Sequence, residues 1–79
     1  MAIYIEIEKV KDVNDSVEYK FGLLNDNYGV LTINKTSGEV IMLEPMESDK
    51  KKNHFARAAH KVKQHWKEGK LPNKTCWAS

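Results

Sequence analysis

Tyr28-Gly29-Val30-Leu31-Thr32-Ile33-Asn34 and Glu39-Val40-Ile41-Met42-Leu43-Glu44, joined by Lys35-Thr36-Ser37-Gly38, read as two strands and the turn between them. In the first segment Gly29, Leu31 and Ile33 fall on one side and Tyr28, Val30 and Thr32 on the other, the alternation of a half-buried strand. Gly38 supplies the positive φ that ends a type I turn in a short hairpin. Pro45 has no amide to give a ladder, so it ends the second segment. Whether Ile41 and Leu43 or Val40 and Met42 face the core is open at this level.

The same alternation runs back toward the N-terminus. Ile3, Ile5 and Ile7 oppose Tyr4, Glu6 and Glu8; Val17, Tyr19, Phe21 and Leu23 oppose Glu18 and Lys20. Asp12, Asn14, Asp15 and Ser16 make one turn between these runs, and Asn25-Asp26-Asn27 the next. Strands are therefore predicted over about 3–10, 17–24, 28–34 and 39–44, in a meander of about four strands. Toward the C-terminus Ser48 is an N-cap and Asp49 suits the positive end of a helix dipole. Phe55, Ala59, Val62 and Trp66 recur at helical spacing, Gly69 is a C-cap and Pro72 forbids resumption. A helix over about 49–68 follows. The tail, 70–79, carries Leu71 and Trp77, which suggests that it folds back onto the body. The expected fold is α+β, an antiparallel sheet on one long helix, in a single domain spanning 1–79.

Length limits function. A chain of 79 residues buries only about 60% of its unfolded surface, so nearly every large apolar side chain is needed for the core. Little remains to line a deep substrate cavity. Cys76 is the lone cysteine, which rules out an internal disulfide. Acids interrupt the start, Met1 to Glu8, where a signal peptide would be apolar. A cytoplasmic location is the expectation.

Chemical motifs are sparse. His54, His60 and His65 lack the i, i+4 spacing of a helical metal pair, and Cys76 beside Trp77 reads as a small buried hydrophobe. The four glycines are scattered, so no phosphate loop is present. Asn73-Lys74-Thr75 matches a glycosylation sequon by chance. The expectation is a protein that is not an enzyme and takes no cofactor or metal.

Two surfaces remain. From Met1 to Asp49 there are four lysines against ten acids; from Lys50 to Ser79 there are eight lysines and Arg57 against Glu68 alone. Lys50, Arg57 and Lys61, with His54 between, align along one side of the helix and could follow a phosphate backbone. Nucleic acid is thus one partner class. The other is protein. One helix covers one sheet face, and Tyr4, Tyr28 and Val30 fall on the opposite one, a surplus of apolar surface that a second chain or the tail would have to cover. A protein partner or homo-oligomer is the leading expectation, with inhibitors and toxin-immunity proteins as analogues of this size.

Tyr19-Lys20-Phe21-Gly22, Tyr28-Gly29, Leu43-Glu44-Pro45, Arg57-Ala58-Ala59 and Cys76-Trp77-Ala78-Ser79 give the chain the look of small uncharacterised bacterial α+β proteins. That resemblance implies no activity. The hairpin Ile33 to Val40 is similar to the strand–turn–strand of PepSY domains over those residues alone, and it too implies no function.

Overall fold

The computed structural model describes residues 4–23, 27–49 and 51–78. Met1, Ile3, Asn25, Asp26, Lys50 and Ser79, named above, and position 24 at the end of the second expected strand, lie outside them. The element order is β1 (Tyr4–Asp12), β2 (Ser16–Gly22), β3 (Tyr28–Asn34), β4 (Val40–Glu44), α1 (Asn53–Lys67) and β5 (Lys74–Ala78). All pairings are antiparallel, in the order β4-β3-β2-β1-β5. The α+β expectation holds, and the meander gains a fifth strand from the tail.

The hairpin of β3 and β4 forms as its turn residues require. Asn34 donates its N–H to the Glu39 carbonyl at 2.9 Å and accepts from Gly38 N–H at 2.9 Å. Gly38 sits at φ 76°, and the indole of Trp66 lies where a Cβ would project. Gly29 answers a different constraint. A Cβ there would stand 2.7 Å from both the Glu44 carbonyl and the Phe21 ring, so the chain after β4 can cross only above a glycine.

Ile5, Ile7, Val17, Tyr19, Phe21, Leu31 and Ile33 are buried on one sheet face with Met46, Ala58 and Val62. Val40 and Met42 pack against this core, so the inward pair of β4 is theirs and not Ile41 and Leu43. The helix stripe is rotated slightly from the expected one. Ala58 and Val62 are the buried positions, while Phe55, Ala59 and Trp66 are partly covered. Phe55 meets Phe21 with ring centroids 5.9 Å apart. Trp66 donates its indole N–H to the Lys35 carbonyl at 2.7 Å, fixing the helix end to the hairpin.

Four expectations are corrected. The helix starts at Asn53 and not at 49, because Lys52 takes a left-handed conformation at the cap. Ser48 is not the cap: the buried Asp49 carboxylate accepts from the N–H groups of His54 at 3.0 Å and Phe55 at 2.9 Å. Burial pushes the Asp49 carboxyl up, but these bonds and the His54 ring beside it outweigh that and hold it below the ordinary range. Leu23 lies beyond β2 and is exposed. Cys76 pairs opposite Glu6, on the face away from the helix, and is not a core residue.

Among the described residues, the tail does not cover the second face. β5 pairs with β1, placing Trp77 beside Ile5 and Thr75 beside Ile7 on the helix side. Lys9 N–H to the Asn73 carbonyl and Tyr19 Oη to the Pro72 carbonyl, at 2.8 and 2.7 Å, anchor the approach. Leu71 and Trp77 both pack against the core, as their isolation in the tail suggested.

Candidate functional site

Among the described residues, nothing covers the sheet face opposite the helix. Its centre is charged and self-paired. Glu8 stands between Lys20 at 3.3 Å and Lys74 at 3.5 Å, and Lys11 reaches Glu18 at 4.0 Å. Lys20, first by hydrogen bonding and then by its charge, holds the Glu8 carboxyl below its ordinary range. The Lys20 ammonium also lies 5.3 Å from the centre of the Tyr28 ring.

Apolar side chains surround that centre. Tyr4 is 51% exposed, Tyr28 46%, Ile41 51% and Leu43 49%. Val30, the third residue expected here, is partly buried between Lys20 and Glu44 in the cross-strand row. Tyr4 lies at the β5 side and Tyr28 toward β4, so the three residues do not form one cluster. Cys76, followed by burial and Glu6, pushes the Tyr4 phenol above its ordinary range.

Ile41 and Leu43 were one of two alternatives in the sequence, and their exposure makes β4 the more apolar sheet edge. The bonded pair Asn34–Glu39 sets the ladder phase. Thr32 and Ile41 then exchange bonds, and the N–H and C=O groups of Val40 and Met42 point away from β3. As β4 ends the sheet order, these groups face outward. No charged residue stands between Glu39 and Glu44 to discourage strand pairing. At the other edge, β5 exposes Lys74 and Ala78 but no large apolar side chain, and its Trp77 lies edge-on to His60 at 5.6 Å.

Two of the three residues expected in the basic stripe are described. Arg57 and Lys61 are partly exposed on α1, and the Arg57 guanidinium donates to the Asn53 carbonyl at 3.2 Å. Lys50 precedes the helix and is outside the described residues. Two of the three histidines have partners: His54 lies 3.3 Å from Asp49, and His65 Nε2 lies 2.9 Å from Thr75 Oγ1. Among the described residues no group of three His, Cys, Asp or Glu side chains could hold a metal, and no helix is long and apolar enough to cross a membrane. No protein-family model, curated protein or solved structure matches the chain.

Proposed function

We propose that this chain is a small, non-catalytic, cytoplasmic binding module that associates with a second copy of itself through the β4 edge. The observation that carries the reading is the exposed pair Ile41 and Leu43 on an edge strand whose Val40 and Met42 backbone groups face outward. An edge of this kind templates another strand unless charge, proline or cover prevents it. Two-fold symmetry, the commonest in soluble oligomers, needs one self-complementary patch, and an antiparallel pair centred on Ile41 provides it. Val40 and Met42 of one copy then bond Met42 and Val40 of the other, the two Ile41 side chains meet, and two sheets become one. Tyr28 extends the same apolar margin inward.

Sedimentation equilibrium from low to high micromolar concentration tests this. The expected result is a mass that rises toward twice the chain mass with concentration, and an Ile41→Lys variant that stays monomeric. A wild-type chain that stays monomeric throughout overturns the reading.

A second reading is nucleic-acid binding along α1. Its support is that, among the described residues, no carboxylate lies within ion-pair distance of Arg57 or Lys61. Such binding would act through phosphates and weaken steeply with salt, with a log–log slope of about −0.9 per phosphate neutralised on duplex DNA. Fluorescence anisotropy with random duplex DNA at low salt tests it, and no binding there removes it.

A further inference from the structure

Where the end of α1 meets β1 and the β3–β4 turn, a cleft of about 710 Å³ opens between four lysines from three parts of the chain: Lys9, Lys35, and Lys67 with Lys70. Its size is within the range of small-molecule sites. One carboxylate, Asp12, faces them, and it is already shared. Lys35 Nζ lies 2.7 Å from Asp12 Oδ1, and Lys9 Nζ 3.3 Å from Oδ2. Hydrogen bonds from Lys35 and then Lys9 hold the Asp12 carboxyl below its ordinary range. The Lys9 ammonium is fixed a second time by the Leu71 carbonyl at 3.0 Å, and its side chain is only 17% exposed. Two of the four cations are thus held in place before any ligand arrives.

The other two are unspent. Among the described residues, no carboxylate lies within ion-pair distance of Lys67 or Lys70, since Glu68 turns to His65 at 3.8 Å. Nor are they needed to cap the helix. The carbonyls of Gln64, His65 and Trp66 already accept the backbone N–H groups of Glu68, Gly69 and Lys70. The lining has an excess of positive charge around an apolar wall, the Trp66 indole, whose orientation is fixed by its bond to the Lys35 carbonyl.

We propose that this cleft binds a small molecule carrying adjacent phosphate groups, a free polyphosphate or a nucleoside polyphosphate. Lysine ammoniums suit phosphate as compact point charges, and several converging on one cleft match a ligand with more than one anionic group. Asp12 keeps Lys9 and Lys35 together in the empty cleft and gives way to the ligand's oxygens when it is filled. A nucleoside base would have Trp66 to lie against.

Emission of Trp66 reports occupancy in a Trp77→Phe background. That substitution keeps an aromatic ring and removes a buried indole N–H that has no hydrogen-bond partner among the described residues, so the fold should tolerate it. The probes are tripolyphosphate, ATP and adenosine, without added metal and at constant low ionic strength. Tripolyphosphate and ATP are expected to change the emission saturably, and adenosine to have no effect. Lys67→Ala and Lys70→Ala, both at exposed positions, should each weaken binding about tenfold, as expected for loss of a charge-assisted hydrogen bond. Asp12→Asn should tighten it, and Arg57→Ala, outside the cleft, should leave it unchanged. ATP binding more tightly than tripolyphosphate assigns the indole to a base; equal affinity assigns the site to the anion alone. No saturable change, or equal losses from Arg57→Ala and Lys67→Ala, overturns the proposal.

Discussion

The two faces of this sheet alternate residue by residue along the same strands, yet they serve opposite ends. Under the helix lie Ile5, Ile7, Val17, Tyr19, Phe21, Leu31 and Ile33, all buried. On the other side the interleaved positions carry ion pairs at the centre and exposed Tyr4, Tyr28, Ile41 and Leu43 around it. Among the described residues there is one core, and β5 joins the sheet edge without forming a second layer. Stability should therefore be concentrated on one face and recognition on the margin of the other, and substitutions should separate them.

The largest effect belongs to the covered face. Phe21→Ala, at a fully buried ring packed on Phe55, should cost about 3–5 kcal/mol in denaturant unfolding. Tyr28→Ala, one strand away but on the open face, should stay within about 0.5 kcal/mol. Similar costs for the two would break the distinction between the faces. Gly29→Ala should come next, at about 1–3 kcal/mol, because the added methyl meets backbone at the Glu44 carbonyl and the Met46 amide.

Asp49→Ala should cost about 0.5–2 kcal/mol through loss of the helix cap. The sign of its pH dependence follows from the lowered carboxyl. Asp49 contributes fully above its ordinary value of 3.8, and the contribution fades as pH falls through the lower folded value. The stability gap between wild type and Asp49→Ala should hold at neutral pH and narrow below about pH 4. A gap that widens on acidification would mean that the carboxyl is not the cap. Smallest of all, Ile41→Lys should change stability by no more than about 0.5 kcal/mol, while abolishing any concentration-dependent mass.

Periodicity made most of this legible. Alternation placed three strands close to their observed limits, and the type I turn ending at Gly38 placed the hairpin. The helix start was not legible, since Asp49 caps it from a distance by folding back on His54 and Phe55, a contact that no local cap pattern predicts. Nor was β5. Lys74 to Ala78 is short, and its pairing with β1 depends on a connection through the helix. The apolar margin was half legible: Tyr4 and Tyr28 were placed on the open face, but the inward side of β4 needed the register with β3 to decide. The lysine cleft was invisible, because its cations come from three stretches far apart in sequence, at Lys9, at Lys35 and at Lys67 with Lys70, and only the packed helix end brings them together.

The central claim concerns the outward backbone groups of β4, and amide hydrogen exchange at Val40 and Met42 tests it most directly. Ile41, bonded to Thr32 within the sheet, serves as the internal reference. The account predicts that the Val40 and Met42 amides exchange rapidly in dilute protein and become protected as concentration rises, while Ile41 stays protected throughout. In Ile41→Lys the two edge amides should remain fast at every concentration. Edge amides whose exchange is independent of concentration in the wild-type protein would contradict self-association through β4.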